Sequence, residues 1–367
     1  MTGLRVGILG CAGIAKKNTI AILHKESGCS VKAVASRSPE KAQAFVQEMF
    51  TSTAAPICLS YEELVHCEMV QAIYIPLPTA FHKEWAIKAL QAGKHVLLEK
   101  PAALSLQEYQ EMLTVAYKHN KFLLDGTMFV HHPRTSKFVQ DCQDTSQIGT
   151  ITRIEAGFSF CGDDDFHRGN IRVKKDGDPL GCVGDLGWYV IRMALLVTDM
   201  ASVASVQVTD YQLNDEGVPI DVTCLIKFQN KVILAFHSAF TSQFRQYVHV
   251  VGTKGWAFID DWVLPKKAPL QYQVQSMSLT KYDLITEHPC KVETFPDGPV
   301  QEVLLWKTFA RLSKSIDKNS ASEGWDKDDK NPAIIEARKW AEISSTNQQV
   351  VDAIMLSVQR DGAKVQL

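Results

Sequence analysis

The sequence predicts an α/β protein in two parts: a doubly wound parallel sheet over residues 1–127 and an α+β part with an open, mainly antiparallel sheet over residues 128–367. Three observations predict this. Up to residue 125, short apolar runs ("LRVGIL", "VKAVAS", "ICL", "AIYI", "HVLL", "FLL") alternate with helix-period stretches ("IAKKNTIAILHKE", "PEKAQAFVQEM", "YEELVH", "AFHKEWAIKALQAG", "LQEYQEMLTVAYKHN"). Unbroken apolar strands separated by helix-length connections are what a parallel sheet covered on both faces requires. Beyond residue 128, segments such as "SVASVQVTDYQL", "IDVTCLIKF", "VILAFHSAF" and "QYVHVVGTKGWAFID" alternate with the period of one-face-covered antiparallel strands. Helical patterns fall at 184–197, 301–317 and 345–359, and "DKNSASEGWDKDDKN" (317–331) reads as a surface loop.

Composition narrows the class. The chain has 367 residues, 46% of them hydrophobic and 22% charged, which suits a soluble globular protein with room for two domains. A net charge of -2 leaves no basic excess for nucleic acid and no polybasic stripe for an anionic membrane. Nine scattered cysteines, with no C-x-x-C and no zinc spacing, read as reduced thiols of an intracellular, cytoplasmic protein. "LRVGILGC" has no signal-peptide pattern, and Pro76, Pro78 or Arg192 breaks the longest apolar runs. Small-molecule partners are expected.

The first strand runs into "GILGCAGIA". A dinucleotide fingerprint there needs a glycine for the turn, a second for backbone approach to pyrophosphate, and a small third residue for helix packing. Gly10, Ala12 and Ala15 fill those places, with Gly13 and Ile14 opening the helix, so the middle glycine is replaced. Strand, turn and helix still come in the order of a Rossmann dinucleotide site, and the helix N-terminus offers N–H groups to phosphate. A merely structural glycine turn is the other reading.

The second strand ends in "VASRSPEKA". An NAD site places an acid there for the ribose 2'-hydroxyl; Ser36 and Arg37, with Lys41 nearby, suit a 2'-phosphate and favour NADP over NAD. Against this stands a solvated arginine before a helix that Ser38 caps and Pro39 starts. After the fourth strand, "IYIPLPTAFHKEW" brings Pro78 and His82 to the ligand rim, with Thr79 as the expected cap of the next helix. A capped helix with a surface histidine explains them equally. Glu99, Lys100 and Pro101 stand at the mouth of the fifth strand, where a lysine can stabilise charge on a substrate oxygen; the Lys100–Pro101 bond is a candidate for the cis form.

Downstream, "LGCVGDLGWYVIRMALL" places Asp185 and Tyr189 four apart at the start of a helix. Asp185 could equally cap that helix and Tyr189 could be an ordinary core aromatic. "GDDDFH" (Asp163, Asp164, Asp165, His167) reads as a solvated acidic loop rather than a metal site. His131 and His132 divide evenly between a cleft role and a helix start, and Arg172 could reach a ligand or only the cofactor's surroundings.

Together these motifs resemble the glucose-fructose oxidoreductase / inositol dehydrogenase / MocA (Gfo/Idh/MocA) family, most closely its dimeric dihydrodiol dehydrogenase and sugar dehydrogenase branch. The likeness runs from "GILGCAGIA" through "PLPTAFH", "EKPAALS", "DGTMFVHHPR" and "GDLGWY" to "VVDAIMLSV". It implies an NAD(P)-dependent dehydrogenase or reductase with a Rossmann domain (1–127) and a substrate-binding and oligomerisation domain (128–367) that pairs copies through its open sheet. It further implies Lys100 as the catalytic lysine of the EKP motif, Tyr189 as proton donor and acceptor, Asp185 as substrate-positioning acid and His82 as a cofactor-side residue. The cofactor side then comprises Gly10, Ala12, Gly13, Ile14, Ser36, Arg37, Lys41, Pro78, His82, Glu99 and Lys100, with no metal. Ala12 and the shortened "GCVGD" depart from the family pattern.

The assignment is physically consistent. A free tyrosine has a pKa of about 10, and an ammonium roughly 5 Å away at an effective dielectric of about 20 contributes about 3 kcal/mol. That lowers the phenol by roughly two in pKa before burial opposes it. The expected function is NADP(H)-dependent hydride transfer to or from a CH–OH/C=O group of a sugar, polyol or trans-dihydrodiol. The alternatives are a non-catalytic dinucleotide-binding regulatory protein and a methyltransferase, in which Arg37 and the EKP segment have no evident task.

Overall fold

The computed structural model describes residues 3–51, 55–265, 269–279, 285–287, 290–296, 298, 300–318 and 330–367. The chain divides into two compact units, Met1–Met128 with Pro299–Ser345 and Phe129–Gly298 with Thr346–Leu367. The expected division at 127/128 has a single cut, whereas the chain returns to the first unit after residue 298.

In the first unit β1 (Leu4–Leu9), β2 (Cys29–Ala35), β3 (Ile57–Leu59), β4 (Ala72–Ile75), β5 (His95–Leu98) and β6 (Leu123–Asp125) alternate with α1 (Gly13–Leu23), α2 (Pro39–Met49), α3 (Tyr61–His66), α4 (His82–Gln91) and α5 (Leu106–Lys118). The strands pair in parallel in the order β3-β2-β1-β4-β5-β6. All residues of β4 and β5 are buried, as central strands covered on both faces must be. Helix starts follow local chemistry: Ser38 accepts from Lys41 N with Pro39 in the first turn, Ser60 and Glu63 form a capping box, and Ser105 accepts from Glu108 N. Thr79 does not cap α4; it lies in a 3-10 turn (Thr79–Phe81), and the α4 N-cap is Phe81, which supplies no side-chain bond.

The second unit continues with α6 (Pro133–Gln143), β7 (Ile151–Cys161), α7 (Asp164–Gly169), α8 (Trp188–Val197), β8 (Val203–Leu213), β9 (Pro219–Phe228), β10 (Ile233–Ala239), β11 (Thr241–Gly252), β12 (Gly255–Ile259), β13 (Leu270–Leu279), β14 (Ile285–Glu287) and β15 (Lys291–Phe295). After α9 (Gln301–Lys318) and α10 (Pro332–Gln359) comes the short β16 (Val365–Gln366). The second sheet has the order β14-β13-β12-β11-β7-β10-β9-β8-β16, with β15 on β13. Its pairing is antiparallel except between β7 and β10. α10 begins 13 residues before the expected 345, because Asn331 Oδ1 accepts from Ala333 N ahead of Pro332. Most of the expected 317–331 loop lies outside the described residues.

The returning segment completes the core of the first unit. Trp306 of α9 donates to Asn18 Oδ1 of α1 (2.8 Å), and Ser344 of α10 donates to the buried Asp125 carboxylate. His95, fully buried at the start of β5, accepts from Phe122 N through Nδ1 (2.9 Å), which leaves its proton on Nε2. Nε2 lies 3.0 Å from Asp317 Oδ1 of α9, and Lys121 Nζ approaches the same oxygen to 2.5 Å. Burial holds His95 below the ordinary 6.5, opposed by Asp317. Asp317 is held well below 3.8 because its bonds and charge contacts with His95 and Lys121 outweigh its own burial.

The sign for stability follows. Below about pH 6.5 an unfolded histidine binds a proton that folded His95 refuses, so unfolding free energy falls as pH drops through that window; Asp317 adds a second loss below its unfolded value of 3.8. His95→Gln is expected to cost about 1–3 kcal/mol at pH 8 and to flatten the decline between pH 6.5 and 5. Denaturant titrations at pH 8, 6 and 5 check this, and an unchanged pH slope in the variant would refute the assignment.

Candidate active site

Parallel strands send every outgoing loop to one edge, and the strand order reverses direction between β1 and β4. At that edge Gly10 follows β1 with φ +124°, a region closed to most side chains, and an added Cβ would meet Leu77 Cδ2 at 2.9 Å. Ala12 has φ -72° and ψ 161°, extended backbone that alanine adopts without strain, so the replaced glycine is not a conformational loss. Ala12 is the N-cap of α1 and makes no side-chain bond to the helix; Gly13 has open space above it and Ile14 is 38% exposed. The N-terminus of α1 is therefore accessible as an anion-binding end.

At the end of β2, Ser36 is buried and its Oγ accepts from Ser38 N (3.2 Å), while Arg37 and Lys41 are exposed. These residues share surroundings that sequence reasoning passed over. Burial pushes the Cys11 thiol up to about 11, with Cys58 adding to this and a Ser36 hydrogen bond and the Lys41 charge opposing it. Burial likewise raises the Tyr61 hydroxyl, opposed by the charge and hydrogen bond of Arg37, and the Tyr61 ring packs edge-on against Trp85 at 5.1 Å. Ser36, Arg37 and Lys41 thus surround one rim, where the nearest carboxylate in sequence, Glu40, accepts from Ser38 Oγ at the head of α2. Such a rim fits a phosphorylated ribose better than a free 2'-hydroxyl. Tyr61 sits at the first position of "YEELVH", which the sequence reading used only as a helix; a tyrosine opening that helix was the available signal.

After β4 comes Pro78, and after it His82, which is fully buried rather than on the surface. Its Nε2 lies 2.8 Å from Leu77 O and its Nδ1 3.2 Å from Ala102 O. The ring therefore ties the loop after β4 to the loop after β5. Glu99, next to β5, accepts from Tyr74 Oη and from Asn18 Nδ2 (3.3 Å) and is anchored in the network that includes Trp306. Lys100 follows, partly exposed, with a cis bond to the buried Pro101.

The second unit carries the other expected residues. Val183–Gly187 forms a π-helical turn leading into α8, a form frequent at functional sites. The N-caps here are Cys182 and Gly187, and Asp185 lies inside the turn. Its side chain is 14% exposed, and Arg172 Nε stands 3.2 Å from Oδ2. Gly181, at φ +52°, makes the bend before the turn, where a Cβ would strike Pro219 O at 2.1 Å. Tyr189 is 6% exposed among the rings of Phe158 (5.9 Å), Phe129 (6.1 Å) and Trp262 (6.4 Å). Asp163 caps the short α7 and Asp165 pairs with Arg168, while His132 caps α6 through Arg134 N. Among the described residues no group of three or more His, Cys, Asp or Glu could hold a metal, and no helix is long and apolar enough to cross a membrane.

Comparison with known proteins places these features. The profile of an oxidoreductase family with an NAD-binding Rossmann fold matches residues 4–127, and that of the GFO/IDH/MocA C-terminal domain matches residues 137–258. D-xylose 1-dehydrogenase (NADP(+)) 2 of Haloferax volcanii is 30% identical over 68% of this chain and 73% of its own. A dTDP-3,4-didehydro-2,6-dideoxy-alpha-D-glucose 3-reductase of Actinomadura kijaniata is 35% identical, over 52% of this chain and 55% of its own, so the match spans about half of that enzyme's length. A tyrosine-to-phenylalanine variant of a 3-ketoreductase from the same organism, crystallised with TDP-benzene and NADP, superposes with a TM-score of 0.80 at 26% identity, covering 98% of each chain. With both of its domain profiles matched, this chain belongs to the GFO/IDH/MocA oxidoreductase family.

Proposed function

We propose that the protein is an NADP(H)-dependent oxidoreductase acting on a secondary alcohol, or the matching carbonyl, of a sugar, polyol or cyclic diol such as a trans-dihydrodiol. The observation that carries this reading is that Lys100 leaves β5 on the same edge of the same sheet as the open N-terminus of α1 and the Ser36–Arg37–Lys41 rim. The α1 N-terminus, with Gly10, Ala12, Gly13 and Ile14, would hold the pyrophosphate, and Ser36, Arg37 and Lys41 the ribose 2'-phosphate. Pro78, His82 and Glu99 shape the edge from beneath, through the bonds described above. The bound nicotinamide supplies the hydride donor or acceptor.

Lys100 donates to the substrate oxygen and stabilises negative charge developing there. Tyr189 takes the hydroxyl proton in oxidation and returns it in reduction, and Asp185 orients the substrate. NADP in the crystallised 3-ketoreductase and in the name of the xylose dehydrogenase supports the cofactor, and the sugars named for the xylose dehydrogenase and the dTDP-deoxyglucose 3-reductase support the substrate class. The NADP-dependent scyllo-inositol 2-dehydrogenase of Bacillus subtilis, 26% identical over 66% of this chain, supports polyols. We further assign the protein to the cytoplasm, as a dimer or larger homo-oligomer joined through its open sheet, on which Leu225 and Phe244 are exposed.

Screening NADP-linked turnover over aldoses, inositols, anhydro-sugars and trans-dihydrodiols by cofactor fluorescence tests the reading. On the substrate found, Lys100→Met and Tyr189→Phe are each expected to lower kcat by about 100-fold or more while NADPH still binds. Wild-type turnover retained by both variants would overturn the mechanism, and tight NADPH binding with no turnover of any class would leave a dinucleotide-binding regulatory protein.

Cofactor choice has its own check. Arg37→Ala is expected to weaken NADPH binding roughly 10- to 100-fold, the worth of a charge-assisted hydrogen bond, and to leave NADH binding nearly unchanged. Equal losses for both cofactors, measured by fluorescence titration, would remove Arg37 from 2'-phosphate recognition.

A further inference from the structure

We propose that Arg172 is a positioning residue that holds the Asp185 carboxylate, and with it the π-helical turn that presents Tyr189. The proposal rests on the reading above in which Tyr189 exchanges the proton. Asp185 is largely withdrawn from water, and a carboxylate in that position is costly unless a cation accompanies it. Arg172 Nε, at 3.2 Å from Asp185 Oδ2, supplies that cation across 13 residues of chain. The charge is itself held from behind: Asn170 Oδ1 accepts from Arg172 N (3.1 Å) and lies 3.4 Å from Arg172 Nη1.

The turn carrying the arginine, Ile171–Val173, is anchored in turn, since Asn214 Nδ2 donates to Val173 O at 2.8 Å. Arg172 is raised above its ordinary value chiefly by Asp185, with Asp178 and Tyr189 contributing, so the tyrosine lies within the arginine's electrostatic reach. Asp185 stands at neither N-cap position, those being Cys182 and Gly187. Asp185 and Asn170 engage the guanidinium, while 42% of the Arg172 side chain stays exposed.

The test uses full-length protein with NADPH and the substrate found in the screen. Arg172→Met is expected to lower kcat about 10- to 100-fold, with substrate KM changing by less than threefold and NADPH affinity unchanged. Arg172→Lys should recover part of the loss. The double variant Arg172→Met/Asp185→Asn should be no slower than Asp185→Asn alone, because the arginine acts through the acid. An unchanged kcat, losses that multiply in the double variant, or a change confined to KM would each overturn the proposal. If Arg172→Met does not fold, the kcat-against-KM split is read in Arg172→Lys under the same criteria.

A wild type that turns over no sugar, polyol or diol would refute the functional reading, not this one. Positioning is then read by fluorine NMR of 3-fluorotyrosine-labelled protein, with the Tyr189 resonance assigned from Tyr189→Phe. That resonance is expected to move in Arg172→Met and to stay in the control Arg168→Met, whose side chain is 69% exposed. No movement in Arg172→Met overturns the proposal.

Discussion

Everything in the first unit follows from one constraint, that a parallel strand cannot be followed by a hairpin. Each strand must be left by a crossover, and every crossover starts at the same edge. The residues just after β1, β2, β4 and β5 are therefore neighbours along one rim although 90 positions separate Gly10 from Lys100. Backbone hydrogen bonding is satisfied within the sheet, so these loops are released from structural duty and can carry charge. What holds them is side-chain chemistry from below: His82 bridging two loop carbonyls, and Glu99 tied to Tyr74 and Asn18.

Much of this was legible in the sequence because its causes are local. The apolar run "HVLL" became β5 and "YEELVH" became α3 with its bounds unchanged. The cis bond at Lys100–Pro101 was readable for the same reason. For His82 the sequence left a surface histidine and a cofactor-side residue equally open, because helix position reports the backbone, not what a neighbouring loop places over the ring, which is fully buried. The beginning of α10 was missed although Asn331 and Pro332 announce it, since the apolar period strengthens only later in the helix.

Other features leave no local trace. Asn18 and Trp306 are 288 positions apart, and His95 of β5 meets Asp317 of α9; neither pairing has a period or spacing to detect. Arg172 and Asp185 are close only because Gly181 bends the chain and a π-helical turn follows. The candidate site is thus half readable. Groups that follow strand ends stand where the strand pattern puts them, while groups held by partners from distant segments required coordinates.

The discontinuous first unit has a consequence for how the protein is made. Its six strands are synthesised before those of the second sheet, yet Trp306, Asp317 and Ser344, which close over α1, β5 and β6, are synthesised only after β7–β15. Until residue 345 emerges, the nascent parallel sheet carries His95, Asn18 and Asp125 without those partners. The first unit is therefore not complete until residue 345 has been synthesised, and a chain released before then would present an unfinished core to chaperones and proteases.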